Sequence, residues 1–294
     1  MATEGTPDQL SDPPAAEPVE PAATTSPIAP SPPAASNFVY ALGQIEPVFP
    51  SLAIEKEFAQ ATGLSGQAGM TDRQAMKQAL TERENRYLAR NLCWTFLIEK
   101  LETYIVVPRD PMDLELLIDA YRAEPRADDL DLVIGTRTHI ASPETCNGLA
   151  LPVVVVDQLY SFDRETLVNE IPRPDNVAEA DDASFRSAAG TLFDDVLQIA
   201  DNAGATDEHR ALNYLAVRYP RIYEKTSEQF QRNFAFTGVE VRSSRLSGVR
   251  EIMDVVFSYQ HRETDMSERW FVRVDVTEAY PFLTTAMNPF YDRP

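Results

Sequence analysis

Few side chains in this sequence can do covalent or metal chemistry. There are three histidines (His139, His209, His261) and two cysteines (Cys93, Cys146), a scarcity that restricts acid–base and ligand sets from the outset. His139 and Cys146 stand seven positions apart across a segment containing Pro143, and Cys93 falls in a run that reads as a strand. These three are the candidate zinc ligands, two thiolates and an imidazole lacking a fourth donor. Cys146 alone is the candidate nucleophile of an enzymatic reading, which would need an electropositive setting to ionise it. The competing reading outweighs both: free cysteine is among the most buried residue types, and Cys93 beside Trp94 reads as core. Two cysteines make no disulfide framework and suit a reducing compartment. His209, in a first helical turn beside Asp207 and Glu208, is expected at the solvent, and His261 at a strand end is expected to close a hairpin. No glycine-rich phosphate loop, Gly-x-Ser-x-Gly elbow, His-Glu-x-x-His or Cys-x-x-Cys occurs, and no cofactor is expected.

A second set of residues points to binding. Positions 218–250 hold seven basic side chains (Arg218, Arg221, Lys225, Arg232, Arg242, Arg245, Arg250) against three acids (Glu224, Glu228, Glu240), a local +4 in a chain of net charge −20. Arginine meets carboxylates bidentately, so Arg242, Arg245 and Arg250 are the candidate contacts for an acidic peptide; arginines paired with surface acids are the ordinary alternative. An open strand edge would offer such a peptide a further route through backbone hydrogen bonds. The overall negative charge disfavours nucleic acid and anionic lipid as partners. The longest strongly apolar run, 149–156, is far short of the roughly 20 residues that cross a bilayer, and the N-terminus has neither a basic start nor an apolar stretch. A cytoplasmic location is expected.

The elements that must position these residues begin after residue 36. Residues 1–36 carry nine prolines, eight alanines, five acids and no aromatic or basic residue; such a composition cannot offset the entropy of ordering its backbone, so 1–36 is expected to be a disordered tail and 37–294 the folded domain. Strands are expected from 38, a hairpin over 92–107 broken at Glu99-Lys100, and further strands over 130–134 and 152–159. Helices are expected over 51–61, 71–90, after Pro111, after Asp163, and over 184–202, 206–219 and 220–233. The last expected segment is β: 236–242, 249–261 and 268–276. In the third strand Trp270, Val272, Val274 and Val276 alternate with Phe271, Arg273 and Asp275, one apolar and one mixed face. Mixed strands and helices, then helices, then an antiparallel meander define an α+β fold.

Several stretches carry a family resemblance: Phe-Val-Tyr-Ala-Leu-Gly (38–43), Asn-Leu-Cys-Trp (91–94), Tyr-Ile-Val-Val-Pro-Arg-Asp (104–110), Cys-Asn-Gly-Leu (146–149), Asp-Gln-Leu-Tyr-Ser-Phe (157–162), Asn-Tyr-Leu-Ala-Val-Arg-Tyr-Pro (213–220) and Phe-Val-Arg-Val-Asp-Val-Thr (271–277). Shorter ones are Thr-Gly-Val (237–239) and Ser-Arg-Leu-Ser-Gly (244–248). Together they resemble the C-terminal domain of unknown function of the PatA and PatG cyanobactin maturation proteases, over nearly everything after residue 37. The resemblance implies a role in making ribosomal, post-translationally modified peptides, with a precursor peptide or a maturation enzyme such as a subtilisin-like protease as partner. No second large domain is there to hold a protease triad, so the resemblance implies a stand-alone, non-catalytic accessory or scaffold protein. An enzyme of the same pathway using the thiol or zinc set above is the alternative, and a homo-oligomeric structural module is a third reading.

Overall fold

A tight turn and alternating strands build the first half. Cys93–Ile98 (β2) and Leu101–Pro108 (β3) are joined by Glu99 and Lys100, whose φ of 50° and 68° are those of the two-residue I′ turn that matches the twist of a hairpin. With β1 (Phe38–Val48), β4 (Asp129–Ile140) and β5 (Pro152–Asp163) they close a barrel of order β1-β2-β3-β5-β4. Every pair is antiparallel except β3–β5. This is a five-stranded Greek-key barrel of the OB type. The computed structural model describes Met1 and residues 37–63, 70–174, 177–178, 181–198 and 201–291; the rest of the expected tail lies outside the described residues. The described residues from 37 to 291 belong to one compact unit.

Helices α1 (Leu52–Thr62), α2 (Asp72–Thr81) and α3 (Arg86–Asn91) lie between β1 and β2, and α4 (Leu114–Ala120) between β3 and β4. Their apolar residues Phe58, Leu80, Leu88 and Leu117 pack into one core with Val39, Ile45, Phe96 and Tyr104 of the barrel. The single helix expected over 71–90 is two. Glu82 takes extended backbone (φ −70°, ψ 130°), and buried Asn85 donates from Nδ2 to Ala79 O and Glu82 Oε2, at 3.1 and 3.0 Å. Tertiary packing of that turn overrides the helix-forming residues around it.

The second half is a helical layer on an antiparallel sheet. Helices α5 (Arg164–Glu170), α6 (Asp182–Leu197), α7 (Asp207–Arg218) and α8 (Arg221–Gln231) precede β6 (Phe234–Ser243), β7 (Ile252–His261), β8 (Ser267–Asp275) and β9 (Phe282–Pro289), which pair in chain order. The expected meander gains β9. Phe193, Leu212, Leu215 and Ile222 of the helices share a core with Met253, Val255, Phe257, Tyr259, Val272 and Val274 of the sheet. The two halves are joined by Asn213 on α7, which donates to Tyr40 O of β1 at 2.8 Å and exchanges hydrogen bonds with Asn202. The fold class is α+β, with a mixed sheet, packed helices and a C-terminal meander.

An ion pair fastens α8 to this sheet. Arg232 holds Glu268 through two nitrogens at 2.9 and 2.6 Å, and Gln229 adds a third bond at 2.8 Å. Donation from Arg232 lowers the Glu268 carboxyl from 4.5 to about 2. A depressed folded-state pKa stabilises the fold above the unfolded value, and this contribution disappears as pH falls from 4.5 towards 2. Arg232 is half-exposed, so solvent screening holds the contribution to about 1 kcal/mol. Glu268→Gln is therefore expected to flatten the fall of the urea midpoint across that window. An unchanged acid slope would show the pair to be energetically silent.

Candidate functional site

Alternation on the β6–β9 sheet sends one set of side chains to the helices and the other to the opposite face. The opposite face carries Glu240 and Arg242 on β6, Asp254 and Val256 on β7, and Arg269, Phe271 and Arg273 on β8. Register sets these in rows, Arg242 opposite Asp254 opposite Arg273, and Glu240 opposite Val256 opposite Phe271. Arg273 Nε donates to Asp254 Oδ1 at 2.8 Å. Glu240 takes Arg269 at 2.7 Å and Arg242 more loosely at 3.6 Å.

The residue after β9 continues along β8, beyond the Trp270–Pro289 pair. Phe290 N donates to Arg269 O at 2.7 Å, which places the Phe290 ring edge-on to Phe271 with centroids 5.8 Å apart. The guanidinium carbons of Arg242 and Arg269 each lie 4.8 Å from the Phe290 centroid, and that of Arg273 lies 4.8 Å from Phe271. Stacking of this kind fixes a guanidinium plane while leaving its N–H edge free to donate. Between these groups lies a cleft of about 610 Å³ whose lining includes Arg242, Arg245, Arg273, Asp254, Phe290 and Tyr291. Three cations and one anion leave it with an excess of +2 in a chain of −20. Arg245 is exposed and has no acidic partner among the described residues. The arrangement suits capture of carboxylates by charge-assisted hydrogen bonds, and its two edge-on rings offer apolar surface beside them.

Of the arginines expected to contact a peptide, the structure brings Arg242 and Arg245 to this cleft. Arg250 is not among its lining residues; it faces Asp275 at 3.6 Å. Sequence reasoning missed Arg273, Phe271 and Phe290. The signal for the first two was present in the mixed face of β8, whose alternation set Phe271 and Arg273 opposite the apolar residues.

The thiol and zinc readings meet a different geometry. Cys93, the first residue of β2, and Cys146, in the β4–β5 loop, form a disulfide with Cα atoms 5.6 Å apart, a normal bridging distance. The expectation of two reduced cysteines is corrected: tertiary proximity, invisible at a separation of 53 residues, joins them. A bridged Cys146 has no thiolate for nucleophilic attack, and a bridged pair has none for zinc. Both sulfurs are buried among Ile105, Ala141 and Val153. His139 is exposed near the end of β4 with Nδ1 3.3 Å from Thr138 Oγ1, and no cluster of three or more His, Cys, Asp or Glu arranged to hold a metal occurs among the described residues. His209 is not simply at the solvent: it is half-buried, and burial lowers its pKa. His261 ends β7 as expected, its ring edge-on to Phe234 at 5.1 Å. No helix among the described residues is long and apolar enough to cross a membrane.

A family model described as PatG C-terminal matches residues 179–290, a span that takes in α6 to β9 and most of the cleft. A solved structure titled "PatG Domain of Unknown Function" is similar, with a TM-score of 0.70 and 22% identity, over 87% of this chain and 99% of the other. At that identity the likeness is one of fold. No curated protein matches the chain.

Proposed function

We propose, for a chain that carries a PatG C-terminal-like domain, a non-catalytic accessory role in maturing ribosomally made, cyanobactin-like peptides: it holds an acidic segment of the precursor peptide in the cleft of Arg242, Arg245 and Arg273. The observation that carries this reading is the arginine cradle itself. Arg242 and Arg273 lie over the Phe290 and Phe271 rings, and the cleft's cations exceed their local acids and sit in a protein whose surface charge otherwise repels an acidic chain. Free Arg245 and loosely paired Arg242 give up little to bind a carboxylate, whereas Arg273 is committed to Asp254 and serves to shape the cleft. The sequence resemblance supplies the pathway, and the enzymatic alternative loses the thiol it relied on.

Calorimetric titration of a glutamate- and aspartate-rich peptide into the full chain tests the reading. Each charge-assisted bond contributes about 1.5 kcal/mol, so Arg242→Ala with Arg245→Ala is expected to weaken binding roughly 100-fold. Binding should also weaken as salt rises, and Arg250→Ala should leave it unchanged. Affinity indifferent to salt and to the double change would remove the cleft from the account.

A further inference from the structure

The β2–β3 ladder stops before its strands do. Its outermost pair on one side is Thr95 opposite Ile105, yet β2 begins at Cys93 and β3 runs on to Pro108. Beyond that pair, Cys93 and Trp94 find ladder partners only in β1, at Val48 and Pro47. Val106, Val107 and Pro108 find theirs only in β5, at Val154 to Val156. The barrel wall opens here into a cleft of about 480 Å³, flanked by Cys93 and Trp94 on one side and by Val106 and Val107 on the other. Its size is that of a ligand site, and it lies on the second- and third-strand face through which barrels of this type take ligands.

Two features say what fits. The interruption leaves Cys93–Trp94 of β2 and Val106–Pro108 of β3 without a β2–β3 ladder partner beside this largely apolar cleft, and an extended chain is the ligand whose own N–H and C=O groups match such strand edges. At the rim, exposed Arg90 lines the cleft and has no acidic partner among the described residues, so the gap is apolar within and singly positive at its mouth. We infer that this opening is a strand-insertion site: an extended apolar peptide segment enters between β2 and β3, continues the interrupted ladder with its backbone, and sets a carboxylate against Arg90. The site is separate from the arginine cleft on the β6–β9 sheet and takes a different segment chemistry, apolar with one carboxylate rather than polyacidic.

The test uses the full chain and a fluorescent hexapeptide of alternating valine and threonine with a free C-terminal carboxylate. Saturable binding in the micromolar range is expected from anisotropy, with slowed amide exchange at Cys93–Trp94 and Val106–Val107. N-methylation of alternate peptide nitrogens, which removes ladder donors and keeps the side chains, should weaken binding at least 10-fold. Arg90→Ala should weaken the free-acid peptide roughly 10-fold, as expected for one charge-assisted contact, and leave the C-terminal amide unaffected. Arg242→Ala with Arg245→Ala should change neither, so failure here and failure of the arginine cleft are read separately. No saturation by about 1 mM, equal affinity of the N-methylated peptide, or protection confined to other strands overturns the inference.

Discussion

Removing the Cys93–Cys146 bridge is expected to lower stability by about 4 kcal/mol, the loop-closure entropy for a separation of 53 residues. In a domain of this size that is a fall in Tm of roughly 10 °C. The bridge ties the β4–β5 loop to the first residue of β2. That loop otherwise holds mainly to itself, through turns such as Thr145 N to Ser142 O and Gly148 N to Pro143 O, and its ends meet at Ala141 N and Leu151 O. Cross-linking two parts of the chain this far apart restricts the unfolded ensemble far more than the folded one. Cys93→Ala with Cys146→Ala, compared by calorimetry with the wild type before and after dithiothreitol, measures the effect, and reduced wild type should resemble the double variant. Alkylation of two thiols per chain in denatured, unreduced protein would show the bridge to be absent.

Replacing Arg122 by Met is expected to cost about 3 kcal/mol, because it strands a buried charge. Asp131 on β4 is completely buried. Its carboxylate accepts from Ile45 N at 3.0 Å, Ser161 Oγ at 2.7 Å, and Arg122 at 3.3 and 3.1 Å. Arg122 also donates to Leu130 O and Ala120 O, each at 3.1 Å, and pairs with Asp129 at 3.3 Å. Burial already raises the Asp131 pKa, against the opposing pull of Ser161 and Arg122. Without Arg122 it rises further. A raised folded-state value means stability falls as pH climbs through it, so the deficit of the variant should be largest near pH 7 and shrink on acidification. Urea melts at several pH values check this, and adding Asp131→Asn to Arg122→Met should recover most of the loss at pH 7. A loss that is independent of pH and untouched by the second change would assign the role of Arg122 to packing alone.

Much of this architecture was legible because it is local. The hairpin at Glu99-Lys100, the caps at Thr71 and Thr206, and the apolar face Trp270, Val272, Val274 each announce themselves within a few residues. Strand β9 escaped because Phe282–Pro289 follows Pro281, ends on Pro289 and has little apolar alternation of its own; as an edge strand it is held by β8 on one side only. The binding arginines were half visible. Arg242 and Arg245 stand out by charge, but Arg273 joins them only through register across β7, and Phe290 only through the pairing of β9 with β8.

Composition and pattern alone therefore settle most of the strands and helices, the α+β class, the reversal of charge after residue 218, and the family that the stretches resemble. Each depends on side-chain volume, charge and spacing, quantities that short windows of chain already contain. Barrel closure through the parallel β3–β5 pair, the gap between β2 and β3, the joining of Cys93 to Cys146 and the stacking of Arg242 on Phe290 belong to the tertiary structure. These pair residues that lie tens of positions apart, and no local preference records which distant partner will be near once the shared cores have packed.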